Sequence, residues 1–511
     1  MHPRHHALSD PQRPALILPE RRQSVSYGQL ESAANKGAHL LRGLGMARGD
    51  VIALLLDNEA AIFEAGWAAQ RIGLYQTSIS TKLSAADIAY ILRDSGARIL
   101  IASDRLADLA AQALAEAPDV RGYLVDHAQN GFESWRDAIA TCPDHPVADE
   151  SAGTDMLYSS GTTGRPKGVK PPLPEGPLDE STPLETMGAR LYGMGPDSLY
   201  LSTSPLYHAA PLRWAMTVHR LGGTVIVMER FDAESALAMI ERHRITHATW
   251  VPTHFVRLLK LPEEVRKRHD HGSLRAVIHA AAPCPVPVKQ AMIDWWGPII
   301  HEYYSGTECC GITALSAQEW LAKPGSVGKA VLGEVKIVGD NGALLGPGET
   351  GDVYFAGGPA FVYHNDPEKT AAAHDDRGWA TLGDIGHVDE DGYLFLTDRR
   401  SFMIISGGVN IYPQEIENLL VTHPKVADAA VIGVPDEEMG ERVVAIVQPQ
   451  DAPWDSEALA QQLTRFTREA LGGVKTPREF LFRADLPREP TGKLMKRLLV
   501  EEFGKSRHLL P

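Results

Sequence analysis

Short apolar stretches alternate with longer amphipathic stretches through the first part of the chain. The apolar stretches at 51–56 and 97–102 have the length and composition of buried strands, whereas 59–72 and 104–115 have the spacing of helices. Strands that alternate with helices are typical of a mainly parallel sheet with helices on its faces. The pattern therefore predicts an α/β fold for this part of the chain.

The alternation is interrupted between 171 and 183, where five prolines exclude regular structure and predict a surface excursion. It then resumes. The later pattern predicts strands at 198–202 and 224–228, a helix at 214–221, and two strands that end near Pro252 and near the alanines at 280–282.

Beyond 325 the pattern changes to short strands and tight turns, with Asp340-Asn-Gly342 and Asp389-Glu-Asp-Gly392 as hairpin signals. The final segment predicts a helix at 413–422, strands at 427–434 and 442–448, a helix at 456–471 and a strand at 479–482. We therefore predict a large N-terminal domain of mainly parallel sheets flanked by helices (1–398), which includes a small β subdomain (about 325–396). A smaller α+β C-terminal domain follows (399–511).

Composition narrows the class of function. A net charge of −15 disfavours nucleic acid or an anionic membrane as the main partner. The four cysteines fit no metal-binding spacing and indicate a reducing compartment. No apolar run follows the first charged residues, so we expect neither a signal peptide nor a membrane span and predict a cytoplasmic protein. Whether the chain forms a homodimer is left open.

The strongest chemical signal is the stretch Tyr158-Ser-Ser-Gly-Thr-Thr-Gly-Arg-Pro-Lys-Gly168. Its glycines let backbone N–H groups approach an anion, its hydroxyls add donors, and its lysine adds a positive charge. The spacing differs from that of a Walker A loop. The alternative is a flexible linker, which seldom follows an apolar strand. The predicted phosphate-binding residues are Ser159, Ser160, Gly161, Thr162, Thr163, Gly164 and Lys167.

Two further segments are candidates for lining a pocket. Tyr207 and His208 lie in a loop bounded by prolines, although a lone histidine is more often a packed or surface residue. The small residues Ala280, Ala281 and Ala282 follow a strand and would let a flat ligand lie against the backbone; tight packing against a helix explains them equally well. The substrate contacts predicted here are Tyr207, His208, Trp250, His279 and Ala280.

The phosphate loop resembles the signature of the adenylate-forming enzymes, which include acyl-CoA synthetases, adenylation domains and firefly luciferase. Four later motifs resemble that family in the family's order: Ala-Ala-Ala-Pro283, Tyr304-Ser-Gly-Thr-Glu308, Thr381-Leu-Gly-Asp384 and Pro487-Arg-Glu-Pro-Thr-Gly-Lys493. Taken alone, the Tyr304–Glu308 stretch would be a turn before a helix with Thr307 as its cap. The resemblance also implies that the C-terminal domain is mobile.

The resemblance implies roles for single residues. Ala281, Ala282, Pro283 and Tyr304 would hold adenine, Asp384 and Arg399 the ribose, and Thr307 the α-phosphate. Glu308 and Thr162 would bind Mg²⁺, whose preferred ligands are carboxylate and hydroxyl oxygens. Lys493 would bridge the substrate carboxylate and the α-phosphate, and Gly407 and Gly408 would approach the site after the C-terminal domain turns. The family's polar hinge position carries Phe402 here, unless the pivot is a neighbour such as Ser401.

The implied reaction uses ATP, Mg²⁺ and coenzyme A: a carboxylate attacks the α-phosphorus, and a thiol then displaces AMP from the acyl-adenylate. Loading of a carrier protein and a luciferase-like oxygenation are the alternatives. The pocket segments 206–214, 250–253 and 279–283 contain aromatic and small apolar residues, with no Arg or Lys dedicated to a second carboxylate. A hydrophobic acid, whether fatty, steroid side-chain or aryl, is therefore the expected substrate.

Overall fold

A computed structural model describes residues 1–159, 166–488 and 494–503 of the chain. Its elements are numbered here in chain order. The largest sheet has the strand order β17-β16-β15-β14-β13-β11-β12-β1-β2. From the first strand of that order to the last, the bounds are Lys329–Leu332, Ile312–Leu315, Ile300–Tyr304, Ala276–His279, His247–Trp250, Leu199–Ser202, Thr224–Val227, Pro14–Leu18 and Gln23–Ser26.

The central strands of this sheet are parallel, and the strands at its two ends are antiparallel. A second, wholly parallel sheet has the order β7-β6-β5-β3-β4-β8. Its strands are Glu133–Ser134, Arg121–Leu124, Ala97–Ala102, Val51–Leu55, Tyr75–Ser78 and Thr154–Asp155 in that order. The predicted α/β fold is thus confirmed.

Helices cover the faces of both sheets. They are α1 (Arg4–Ser9), α2 (Tyr27–Gly43), α3 (Ala61–Gln70), α4 (Ala85–Ser95), α5 (Ala107–Ala115), α6 (Trp135–Ala140), α7 (Pro183–Tyr192), α8 (Ala209–Leu221), α9 (Ala233–His243), α10 (Pro252–Leu259), α11 (Glu263–Arg268), α12 (Val286–Trp296) and α13 (Ala317–Ala322). Helix α3 is apolar around most of its circumference because it shares one core with residues of both sheets. The two sheets are therefore joined by a common hydrophobic core.

The region predicted as a β subdomain is divided among three sheets. Strands β18 (Glu334–Val338), β19 (Gly351–Ala356), β21 (Ala380–Val388) and β22 (Leu394–Arg399) form a sheet of their own. Strand β17 extends the largest sheet instead, and β20 (Val362–Tyr363) pairs with β10 (Lys167–Lys170), which in turn pairs with β9 (Leu157–Ser159). Helix α14 (Pro367–Ala372) follows β20. The phosphate-loop stretch is thereby tied to a distant part of the chain.

The last part of the described chain forms an α+β unit with cores of its own. Its sheet has the order β24-β23-β26-β25, with β27 parallel to β26. The strands are β23 (Ile404–Ser406), β24 (Val409–Ile411), β25 (Val426–Asp436), β26 (Gly440–Pro449) and β27 (Glu479–Phe482); the helices are α15 (Pro413–Leu420), α16 (Ser456–Lys475) and α17 (Lys496–Phe503). Strand β22 reaches Arg399, one residue beyond the predicted domain boundary. Among the described residues, no helix combines the length and the apolar character needed to cross a membrane.

Candidate active site

A cavity of about 850 Å³ lies between the two parts of the chain, beyond the carboxyl ends of β14 and β15. The edge of a parallel sheet where strands end is the usual place for a ligand in such folds. Six of the residues predicted to bind the nucleotide line this cavity. They are Ala281, Ala282, Pro283, Tyr304, Asp384 and Arg399.

Tyr304, Asp384 and Arg399 form a bonded network on the wall of the cavity. The Tyr304 hydroxyl donates to Asp384 Oδ2 at 2.5 Å, and Arg399 Nε donates to Asp384 Oδ1 at 3.1 Å. Asp384 and Arg399 are also cross-strand partners in β21 and β22. Burial lowers the pKa of Arg399, but the combined interactions with Asp384, Tyr304 and Glu308 outweigh burial, and the pKa is raised. Within the described part of the chain each Asp384 oxygen accepts one hydrogen bond, so the carboxylate can also accept hydrogen bonds from ribose hydroxyls.

The alanines after β14 turn sharply at the cavity. Ala281 has a φ of +73°, in the left-handed region where an L side chain is strained and glycine is favoured. The turn keeps small side chains beside Tyr304, which leaves room for a flat ring system between them.

Ser159 and Lys167 face each other across the β9–β10 pair, at the base of the predicted phosphate loop. Burial lowers the pKa of the Lys167 amine, and the nearby charge of Lys369 lowers it further. The Lys167 amine lies 5.2 Å from the ring centroid of Tyr363. Ser160, Gly161, Thr162, Thr163 and Gly164 lie outside the described residues, so their predicted roles stay predictions.

Glu308 projects toward the same strands. Its Oε1 accepts a hydrogen bond of 2.8 Å from the hydroxyl of Tyr363 in β20. Sequence reasoning missed Tyr363, whose only signal was an aromatic residue in a short strand. Among the described residues no group of three or more His, Cys, Asp or Glu side chains could hold a metal by itself. A single carboxylate beside phosphate oxygens nevertheless suits Mg²⁺, which usually takes one or two protein carboxylates.

Thr307 precedes Glu308 in the turn after β15. Its carbonyl oxygen accepts a hydrogen bond of 3.0 Å from Arg213 Nη1, and Arg213 Nη1 also lies 3.1 Å from Cys309 Sγ. Arg213 stands in helix α8, within one of the predicted pocket segments. Asp155 binds the Arg213 guanidinium at 2.6 and 2.8 Å, so this arginine is not available as a partner for a second substrate carboxylate.

None of the five predicted substrate contacts lines the cavity. Tyr207 and His208 stand together at the start of α8, with ring centroids 4.6 Å apart, and His208 is half-buried. Ala280 is buried beside the alanine turn. Trp250 lies in a hydrophobic core, and His279 is fully buried with its Nε2 3.4 Å from Glu302 Oε2. Both side chains, at the ends of β13 and β14, pack against helices and do not line the cavity. Trp250 packs against Trp296, and His279 against Phe255. Neither side chain can reach a substrate as it lies.

The C-terminal part supplies the opposite wall of the cavity. Arg488 binds Asp428 through two nitrogens, and Lys496 Nζ lies 2.8 Å from Glu417 Oε1; all four line the cavity. The Lys496 amine also lies 5.0 Å from the ring centroid of Phe402. Lys493 lies outside the described residues, and the described residues on either side of that segment, Arg488 and Leu494, both line the cavity.

Gly407 and Gly408 form the turn between β23 and β24, with φ of +57° and +78°. They do not line the cavity in this structure. The Gly407 N–H donates to the carbonyl oxygen of Met439 at 2.8 Å. The two parts of the chain touch elsewhere, where Lys260 Nζ donates to the carbonyl oxygens of Val426 and Ala427 at 2.5 and 3.4 Å.

Comparison with known proteins agrees with this arrangement. Residues 3–361 match the AMP-binding enzyme family, and residues 415–493 match the AMP-binding enzyme C-terminal domain. The chain is similar to the long-chain-fatty-acid–CoA ligase FadD13 of Mycobacterium tuberculosis, with 32% identity over 98% of this chain and 97% of that protein. It is also similar to the indoleacetate–CoA ligase of Aromatoleum aromaticum, with 32% identity over 96% of this chain and 95% of that protein. The solved o-succinylbenzoate CoA synthetase of Bacillus subtilis, in complex with its acyl-adenylate intermediate, superposes with a TM-score of 0.80 at 28% identity over 97% of each chain.

A parallel α/β domain with a nucleotide-sized cavity at its strand ends, closed by a small second unit, is the architecture of an enzyme that uses a nucleotide. The chain belongs to the AMP-binding enzyme family, the adenylate-forming enzymes. Like its curated relatives it is an acid–thiol ligase that forms AMP. The resemblance drawn from the motifs is confirmed.

Proposed function

We propose that this enzyme converts a hydrophobic carboxylic acid to its coenzyme A thioester through an acyl-adenylate. The observation that carries the proposal is the cavity in which the alanine turn, Tyr304, Asp384 and Arg399 meet, because these groups suit adenine and ribose. Two of the relatives named above, a long-chain-fatty-acid–CoA ligase and an indoleacetate–CoA ligase, support the hydrophobic class.

The first step joins a carboxylate oxygen of the acid to the α-phosphorus of ATP and releases pyrophosphate. Negative charge grows on the phosphate oxygens during this step. Lys167, at the base of the phosphate loop, would stabilise that charge, and Lys493 would neutralise the charge shared by the carboxylate and the α-phosphate. Mg²⁺, held by Glu308 and Thr162, would supply further positive charge at the phosphates.

In the second step the sulfur of coenzyme A bonds to the acyl carbon, the bond from that carbon to the phosphate oxygen breaks, and AMP leaves. The thiol proton passes to solvent. No covalent bond to the enzyme is required. Gly407 and Gly408, which lie away from the cavity here, would approach it only after the C-terminal unit turns.

The acid is expected to enter beside Tyr207 and His208, at the start of α8. Trp250 and His279 are buried, so the pocket would be bounded instead by residues of the loop before α8 and by the alanine turn. Arg213 is already neutralised by Asp155, which favours an acid without a second negative charge.

The test is pyrophosphate release measured over a panel of fatty, steroid side-chain and aryl acids, with coenzyme A present or absent. We expect release with a hydrophobic acid and formation of its thioester only when coenzyme A is added. Asp384→Asn is the internal check, since it should weaken nucleotide use with every acid. Release with short dicarboxylic acids alone would contradict the hydrophobic class, and transfer to a carrier protein but not to coenzyme A would favour the other acceptor. Light emission with a luciferin would favour the oxygenase.

A further inference from the structure

Helix α8 carries Arg213, a partly buried arginine whose side chain reaches the turn that contains Glu308. Asp155 at the end of β8 binds the Arg213 guanidinium through Nε and Nη2, at 2.8 and 2.6 Å. The side chains of Arg213 and Asp155 are only 17% and 10% exposed. A bidentate pair of this kind fixes the orientation of the guanidinium plane as well as its position.

The remaining nitrogen of Arg213 is directed at both neighbours of Glu308. Nη1 donates to the carbonyl oxygen of Thr307 at 3.0 Å and lies 3.1 Å from the sulfur of Cys309. Cys309 has a φ of +52°, in the left-handed region that side chains rarely adopt, so the backbone of this turn needs an external hold. The next residue of α8, Trp214, donates from its indole to the Tyr303 hydroxyl at 3.2 Å and fixes the strand before the turn.

We propose that Arg213 is a positioning residue for Glu308, anchored by Asp155, and that it sets how tightly the site takes Mg²⁺ with ATP. The proposal rests on the magnesium role of Glu308 in the proposed function. The positive charge of Arg213 is neutralised by Asp155. Arg213 therefore contributes to the site by placing the turn that contains Glu308. The Glu308 carboxylate is then held from two directions, by the backbone through Arg213 and by the Tyr363 hydroxyl at 2.8 Å.

The same helix offers a matched control. Arg220 lies two turns further along α8, is buried, and pairs with Glu185 at 2.6 Å. It also donates to the carbonyl oxygens of Leu178 and Glu180, in the proline-rich segment. Arg220 therefore has the same chemistry as Arg213, a buried carboxylate and backbone carbonyls, but it binds no residue of the Glu308 turn.

The experiment compares Arg213→Met with Arg220→Met in the full chain. Binding of ATP is measured by calorimetry over a series of Mg²⁺ concentrations, with no acid present, so that no turnover is needed. Removing a group that orients a metal ligand typically weakens metal affinity about 10- to 100-fold, and we expect a shift of that size in the Mg²⁺ requirement of Arg213→Met. Arg220→Met should lower the melting temperature without shifting the Mg²⁺ requirement. An equal shift in both variants, or none in Arg213→Met, would overturn the proposal.

Loss of one partner leaves a buried charge unpaired, so Arg213→Met could fail to fold. The variant Asp155→Leu with Arg213→Met removes both charges, and such replacements are often neutral for stability. We expect it to melt near the wild-type temperature and still to need more Mg²⁺. If the double variant regains the wild-type Mg²⁺ requirement together with its stability, Arg213 serves only the fold. If the wild type binds ATP with a Mg²⁺ dependence that Arg213→Met shifts, yet activates no acid, the proposed function fails and the positioning role stands.

Discussion

Tyr304, Asp384 and Arg399 bond to one another on the large-domain wall of the cavity, and they come from strands of two different sheets. On the opposite wall, Arg488 bonds to Asp428 and Lys496 to Glu417, and each of these pairs lies within the C-terminal part. The first wall is one network within the large domain. The second consists of two separate ion pairs within the C-terminal part. The two walls of the cavity therefore differ in how their charged side chains are held.

Lys493→Ala should have the largest effect, and it tests whether the C-terminal part serves the first half-reaction alone. We expect acid-dependent pyrophosphate release to fall by about 10² or more, as for other charge-stabilising donors, while thioester formation from supplied acyl-adenylate persists. Lys425→Ala, at an exposed lysine of the same part, is the control. An equal loss of both half-reactions would mean that Lys493 does not belong to the first step alone.

Glu308→Gln tests the large domain's share of the chemistry with almost no change of side-chain shape. Loss of the carboxylate should reduce adenylation about 10²-fold at ordinary Mg²⁺, because the phosphates lose part of their charge compensation. Both half-reactions and the melting temperature are measured, and the melting temperature should hardly move. Full activity at saturating Mg²⁺ would place the ligand elsewhere.

Phe402 follows β22 at the predicted hinge, and its ring lies 5.0 Å from the Lys496 amine and lines the cavity. A cation–π contact contributes about 0.5 to 2 kcal/mol. If the C-terminal unit turns as the resemblance implies, Phe402→Ala should therefore shift the balance between its two orientations by about twofold to thirtyfold. We expect the ratio of adenylation to thioester formation to fall, with the KM for ATP near its original value. Phe402→Leu keeps an apolar side chain and should have a smaller effect. Unchanged rates in both variants would exclude Phe402 from the motion.

The smallest expected effect concerns Ala281, the alanine with a left-handed φ on the large-domain wall. A left-handed φ costs an L residue about 1 to 2 kcal/mol, which glycine avoids. Glycine also raises the conformational entropy of the unfolded chain, and this lowers the free energy of unfolding by roughly 0.4 to 1 kcal/mol. Ala281→Gly should therefore raise the free energy of unfolding by about 1 kcal/mol or less, measured by denaturant titration. Ala282→Gly, which has no positive φ, should lower it instead. Loss of stability in Ala281→Gly would show that the turn is not strained.

The sequence predicted much of the framework because hydrophobic periodicity reports burial directly. The strands at Val51–Leu55, Ala97–Ala102 and Ala276–His279 lie where the apolar runs are. The β subdomain was less well predicted, since short strands carry no signal for their partner. Strand β20 therefore looked like part of a local hairpin array, whereas it pairs with β10.

The site was predicted in the same uneven way. Motif residues such as Tyr304 and Asp384 meet in the cavity, as the resemblance implied. Trp250 and His279 do not reach it, because a strand end alone does not say which face a side chain takes. The role of Arg213 was not predicted, because its partner Asp155 is distant in sequence. An ion pair between two separate elements cannot be recognised from the order of residues along the chain.

The pairing of β10 with β20 also bears on how the enzyme is made. Val169 pairs with Tyr363, which lies far downstream in the chain. During synthesis the phosphate-loop strands cannot gain their third strand until Tyr363 has left the ribosome, and contacts of such long range form slowly. The nucleotide site is therefore completed late, after all the strands of the two largest sheets have been synthesised.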